Sequence, residues 1–193
     1  MIEPPGQRGL VERLDHLERR IDELTQRSAG HGAPIGRIEA TTATPTLTFD
    51  NIPLHYHSLQ LDYFVGTTAA GWSSINLRFN GRTTGYDMQY QSVAGTGVTA
   101  GRYLQHNLIE VGVVGAASWG VSAWGNITIG GYADEVSTYA LSMCAFQFGG
   151  NDFRGRHSYG WMWGYKEPVT SVSLSLTTGS FAAGATARLY GMR

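Results

Sequence analysis

"HSLQLDYFV", residues 57–65, places an apolar side chain at every second position: Leu59, Leu61, Tyr63 and Val65. A period of two is the strand period, because successive side chains point to opposite faces of a sheet. The same reading extends along the chain from about Ile38. "TLTF" (46–49), "SSINLRFNG" (73–81), "YDMQYQSV" (86–93) and "NLIEVGVVG" (107–115) read as strands. "GNITIGGY" (125–132), "TYALSMCAFQF" (138–148), "YGWMWGY" (159–165), "VTSVSLSLTTG" (169–179) and "TARLYGM" (186–192) follow. Asn80-Gly81, Gly130-Gly131 and Gly149-Gly150 supply turn or bulge chemistry between them. No helix-period segment intervenes, which excludes a βαβ architecture. About ten short strands over residues 39–193 predict an all-β fold, a jelly-roll-like antiparallel β-sandwich.

Upstream the pattern is different. Leu10, Leu14, Leu17, Ile21 and Leu24 form an a/d heptad seam, with Leu14 and Ile21 at a and the other three at d. Pro4, Pro5 and Gly6 bar an earlier start, and Gly30, Gly32 and Pro34 stop the helix. The predicted helix covers residues 8–28, near the length at which an isolated helix is marginal in water. A narrow seam with charged flanks is expected to associate with copies of itself; docking onto the β domain would call for a wider apolar face. "RLDHLE" (13–18) resembles the short trimeric coiled-coil motif, Arg-apolar-x-x-apolar-Glu. In it the stem of Arg13 covers the seam and its guanidinium reaches Glu18 of a neighbouring chain. The next heptad keeps Arg20 but has Thr25 where Glu should stand, and Ile at a with Leu at d also suits a dimer. A trimer is the favoured expectation. The segment 29–38, with "SAGHGAPIG", reads as a flexible linker, and residues 1–7 as an anchor segment.

Composition limits the function. The net charge of −1 and the absence of a basic stripe argue against nucleic-acid binding. Residues 1–40 carry six basic and seven acidic side chains, leaving only eight of each in the remaining 153 residues. A surface so poor in charge is expected to be covered by partners or to read uncharged ligands such as sugars. The 26 glycines are about twice the usual share and imply many tight backbone approaches. Cys144 is the sole cysteine, so neither an intramolecular disulfide nor a cysteine zinc site can form, and it is expected in the core. No apolar leader and no stretch long enough to span a membrane is visible, so a soluble chain made in the cytoplasm is expected.

Few residues suggest chemistry. No motif for a nucleophilic serine, a phosphate loop or a zinc hydrolase is present; no cofactor, metal or catalytic residue is expected. His55 and His57 would share one face of a strand and could meet a metal on a three-fold axis; a surface pair is favoured. Asp134, Glu135 and Asp152 could supply paired glycosidase carboxylates if folding joined them. Tyr159, Trp161, Trp163 and Tyr165 share one parity, with Gly160, Met162 and Gly164 on the other. Exposed, this ladder would stack sugar rings; burial in the core or a subunit interface is the favoured reading. Trp72, Trp119 and Trp124 are second-rank ligand candidates, and the sequon at Asn126 is expected to be empty.

Several spaced segments together resemble one family. They are "FDNIPLHYHSLQL" (49–61), "INLRFNGRTTGYDMQYQ" (75–91), "WGNITIGGYAD" (124–134) and the closing "VTSVSLSLTTGSFAAGATARLYGMR" (169–193). They look like the C-terminal β domain of phage minor tail or tail-fibre proteins, common in phages of actinobacteria. The chain departs from the family pattern at Ser58, with His55 and His57 nearby. The resemblance implies a homotrimeric virion component on the particle surface, docked to other virion proteins through its N-terminus and touching host-surface glycans. A capsid decoration or head-fibre protein without a host ligand is the alternative. An envelope-polysaccharide-degrading enzyme and a free carbohydrate-binding module rank lower.

Overall fold

The computed structural model describes residues 32–134, 137–148, 152–164 and 167–193. The anchor segment 1–7 and the coiled-coil helix 8–28 lie outside the described residues, and with them Leu10, Arg13, Leu14, Leu17, Glu18, Ile21 and Leu24. Twelve strands are described: β1 (Ala33–Glu39), β2 (Thr46–Phe49), β3 (Ser58–Val65), β4 (Ser73–Phe79), β5 (Tyr86–Ala94) and β6 (Gly97–His106). β7 (Ile109–Val114), β8 (Ala123–Gly130), β9 (Tyr139–Phe148), β10 (Asp152–Met162), β11 (Val172–Leu176) and β12 (Thr186–Met192) follow. Among the described residues a single 3-10 turn, Ala117–Trp119, interrupts them.

The strands form two sheets. The larger has the order β1-β12-β3-β8-β9-β10-β5-β6 and the smaller β2-β11-β4-β7. The pairings among β2 to β12 are antiparallel. Alternation decides which side chains meet between the sheets. Leu59, Leu61 and Val65 of β3 and Ile127 and Ile129 of β8 point inward from the large sheet. Ile75, Leu77 and Phe79 of β4, Val172 and Leu174 of β11 and Ile109 and Val111 of β7 meet them in one hydrophobic core. The fold is therefore the expected all-β one, with two antiparallel sheets around a shared interior.

The predicted turn at Asn80 and Gly81 forms with φ of 48° and 66°, a left-handed pair that Asn and Gly tolerate. The Asn80 side chain uses it: its Oδ1 accepts the Thr170 and Ser171 N–H groups, each at 2.9 Å, and its Nδ2 donates to the Pro168 carbonyl. That pins the approach to β11 against the end of β4.

Close cross-strand packing accounts for part of the glycine content. Tyr63 faces Gly125 in the β3–β8 register, and Tyr139 faces Gly130 in the β8–β9 register. In each pair the ring occupies the space that a glycine Cβ would fill.

Three expectations need correction. The linker 29–38 is in part a strand, because Ala33–Glu39 forms β1 on the edge of the large sheet. An edge strand tolerates Pro34, and Ile35 and Ile38 pack on the core. β6 was not expected at all, since eight of its ten residues are exposed and no alternation marks it. "YGWMWGY" is not one strand: β10 begins at Asp152 and ends at Met162.

Candidate functional site

The outer face of the large sheet gathers most of the unusual surface chemistry. Alternation sends Gln60, Asp62 and Phe64 outward from β3, and Trp124, Asn126 and Thr128 outward from β8. β9 inverts the usual rule. Its bulky Tyr139, Leu141 and Met143 are exposed, while Ala140, Ser142 and Cys144 are buried. The cause lies in the other sheet. β7 crosses β9 so closely that a Cβ on Gly112 would strike the Cys144 side chain, so only small side chains fit at the crossing, Ala140, Ser142 and Cys144, while the large Phe146 is buried further along the same face. The larger apolar groups are left facing solvent, an arrangement that ordinary surfaces avoid.

Register lines these side chains up across the strands. One row runs Arg188, Asp62, Asn126, Met143, His157, Gln91 from β12 to β5. The next runs Tyr190, Gln60, Thr128, Leu141, Tyr159, Gln89. Tyr139 and Trp161 are paired beyond that, and Phe64 and Trp124 are paired on the opposite flank. Hydrogen-bonding groups thus occupy a central band, with exposed rings on both sides.

The band is pre-set. Asn126 Nδ2 donates to Asp62 Oδ1 at 2.5 Å, and Gln60 Nε2 donates to the same oxygen at 3.1 Å. The carboxylate is fixed by two amides whose own oxygens remain acceptors. A shallow depression of about 200 Å³ sits between β8, β9 and β10, bordered by Asn126, Thr128, Leu141, Met143, His157 and Tyr159. Two more lie along the same sheet, about 240 Å³ beside Asp62, Phe64 and Arg188, and about 320 Å³ beside Arg37, Arg188 and Tyr190. Open hollows in series suit an extended ligand laid across strands better than a small molecule engulfed in a cavity.

The predicted aromatic ladder divides. Tyr159 is 54% exposed and Trp161 is half-buried, both on the outer face; Trp163 is exposed beyond the end of β10. Of the favoured expectation, burial in the core or in a subunit interface, the core part is overturned for Tyr159, because the opposite parity of β10, Arg156, Ser158, Gly160 and Met162, fills the interior. Tyr165 lies outside the described residues. Trp124 belongs to the outer face, whereas Trp72 and Trp119 do not. They stack edge-on at 4.6 Å, with Phe146 at 5.3 Å and the Arg154 guanidinium 5.0 Å over Trp72, and close one end of the sandwich.

His55 and His57 are exposed in the turn before β3, not on a strand, and among the described residues no third ligand joins them. Asp134 is exposed, while Glu135 and the Asp152 side chain lie outside the described residues. Asn126, the sequon residue, is engaged with Asp62. Cys144 is buried as expected, and burial pushes its thiol pKa up. No helix among the described residues is long and apolar enough to cross a membrane.

Sequence reasoning missed Gln60, Asp62, Asn126, His157 and Arg188 as site residues. The alternation of β3 already placed Gln60, Asp62 and Phe64 on one side, but only the strand order shows that β12, β8 and β10 continue that side.

No family model matches the chain, and no curated protein matches it. Among solved structures it is similar to the galectin LEC-6 of Caenorhabditis elegans, with a TM-score of 0.30 and 11% identity over 79% of this chain and 94% of that one. It is also similar to a SAP-like pentraxin from Limulus polyphemus, with a TM-score of 0.18 and 9% identity over 84% and 90% of the two chains. The infectious bursal disease virus Gx strain structure follows, at 0.12 and 13%, over 80% of this chain and 38% of that one. At these scores none of them bears on what this chain binds.

Proposed function

We propose that the β domain is a non-catalytic glycan-binding domain that reads an extended saccharide on the outer face of its eight-stranded sheet. The observation that carries this reading is the polar band in which Gln60 and Asn126 fix Asp62 beside exposed His157 and Tyr159, with half-buried Trp161 on one flank and exposed Trp124 on the other. Sugars are amphipathic in the same way. Their C–H faces stack on aromatic rings, and their hydroxyls exchange hydrogen bonds with planar amides and carboxylates. The scarcity of charge outside the N-terminal segment favours a neutral ligand.

In this proposal the domain has a jelly-roll-like topology and is carried by a homotrimeric phage fibre or spike on the virion surface. The basis is the resemblance of residues 46–193 to tail-fibre domains and the heptad seam of residues 10–24. Three weakly binding faces on one axis would gain avidity without any new contact. The N-terminal segment docks to other virion proteins.

The test is binding of the full chain to a panel of neutral and acidic polysaccharides, including envelope glycans of actinobacteria. Saturable binding that Tyr159→Ala abolishes supports the reading. Absence of binding across the panel, with the protein folded, ends it. Particle labelling locates the protein at the tail or over the capsid.

A further inference from the structure

Every sheet has two edges, and an unprotected edge recruits further strands. Three of the four edges in this fold are blunted. β1 carries Pro34 and an exposed Arg37–Glu39 pair at 2.7 Å. β2 is only four residues long. β7 is capped by side chains from the large sheet: Tyr63 Oη donates to the Val111 carbonyl at 3.3 Å, and the Cys144 thiol faces the Val113 carbonyl at 3.6 Å. The Glu110 N–H points at Met88 Sδ, 3.3 Å away.

β6 has none of these devices. It is ten residues long, lacks proline, and ends the strand order of the large sheet. Its Leu104-Gln105 bulge, held by Asp87 accepting the Gln105 N–H at 2.6 Å, lies at one end and leaves Gly97–Tyr103 straight. β7, the last strand of the small sheet, lies mainly over β9 and β10 and reaches β5 at its buried Tyr86 and Met88, so the rest of β5 and β6 extend past it. Both faces of the β5–β6 hairpin show apolar groups: Val98 is 59% exposed, Leu104 56%, Val93 41% and Tyr103 38%.

We propose that the β5–β6 hairpin is a self-association surface, and that in the assembled protein the β6 edge and its apolar side chains are covered by a second copy of this chain. Two observations select that occupant. The heptad seam of the same chain gathers copies at high local concentration. The hairpin carries two formal charges of opposite sign, Asp87 and Arg102, so it has no net charge, two copies meet there with little repulsion, and no charge pattern calls for an acidic or basic partner. The inference rests on the self-association part of the proposed function and is independent of glycan recognition.

The experiment uses the full chain. Native mass is measured first, at about 100 µM, where a weak oligomer is populated by mass action. Amide hydrogen exchange is then followed over residues 97–106 in the wild type, in the seam variant L17D/I21D, and in V98K/L104K. The expected result is exchange at least about tenfold slower in the assembled wild type than in the monomeric seam variant, and fast again in V98K/L104K. Unchanged protection of β3 and β8 in all three certifies the fold. Equal, fast exchange of β6 in assembly and monomer overturns the proposal. So does equal, slow exchange, which would mean that the chain's own N-terminal segment covers the edge. A wild-type monomer overturns it too and shows that the seam reading has failed, whereas an oligomer with an unprotected β6 leaves the seam standing.

Discussion

Arg156 of β10 and Glu110 of β7 join the two sheets through an ion pair, Nη2 to Oε2 at 2.7 Å, inside the edge of the core. The pair is well enclosed, with 6% and 18% of the two side chains exposed. The guanidinium also lies 4.1 Å over the Tyr90 ring, and its Nε donates to Ser158 Oγ at 3.3 Å. Removing one partner strands the other charge. Glu110→Gln is expected to cost about 3 kcal/mol in urea unfolding followed by tryptophan fluorescence. The double variant R156M/E110L should cost less than the sum of the single ones. Additive losses would mean that the two charges are not coupled.

Two tyrosine-covered glycines should respond differently to the same methyl group. Tyr63 is buried and its hydroxyl is committed to Val111, so its ring cannot yield to a Cβ at position 125. Tyr139 is 45% exposed and can swing into solvent. Gly125→Ala is expected to destabilise by about 1–3 kcal/mol, the cost of an overpacked interior, and Gly130→Ala by less. Midpoints of thermal unfolding for the two variants check the order, and a reversed order would refute the explanation.

Alkaline pH should weaken the fold. Burial, with a smaller contribution from Cys144 beside it, holds the Tyr63 pKa well above the ordinary 10.0, and burial lifts the Cys144 thiol above 9.0. The unfolded chain therefore releases these protons first as pH rises. The stabilisation is complete below the unfolded values and declines above about pH 9, more steeply above about pH 10. Tyr63→Phe should flatten the second part of the decline while costing about 1 kcal/mol at neutral pH for the lost hydroxyl bond. Urea midpoints across that range read both effects.

On the outer face, Trp161→Ala and Asn126→Ala are each expected to weaken saccharide binding about tenfold or more, the loss of one stacking or one anchored hydrogen-bonding contact. Neither variant should change the far-ultraviolet circular dichroism. Trp72→Ala, at a ring that packs on buried Phe146 and is not on the outer face, should leave binding unchanged. Equal losses in all three would point to general destabilisation rather than a site.

The placement of β1 changes how the seam must be tested. A chain beginning at Gly32 keeps all twelve described strands, whereas one beginning at Ile38 loses most of β1. A full chain that sediments as a trimer and a Gly32-start chain that sediments as a smaller species would assign trimerisation to residues 1–31. A trimer in both would place the main contact in the β domain.

What could be read from the sequence depended on whether one face of a strand was buried. β3, β4, β8 and β12 alternate because one side meets the core and the other meets water. β6 has no buried side, so its composition carries no period. β1 was hidden by Pro34 and Gly36, residues that also write a linker, because an edge strand need not donate every N–H. The inverted faces of β9 depend on Gly112, which approaches from the other sheet. Tyr159 and Trp161 could be read as a pair from their parity alone. Their joining with Asp62, Asn126 and Arg188 could not, because three non-sequential strand neighbours, β12 on β3, β3 on β8 and β10 on β5, had to be known first.

On β3, β8 and β12 the outward and inward residues occupy alternate letters of the same words. Gln60, Asp62, Asn126, Thr128 and Arg188 can each be exchanged while Leu59, Leu61, Ile127, Ile129 and Leu189 stay in place. Selection can therefore rewrite the exterior repeatedly without renegotiating the interior, and a lineage whose target keeps changing could retain one scaffold through many such revisions.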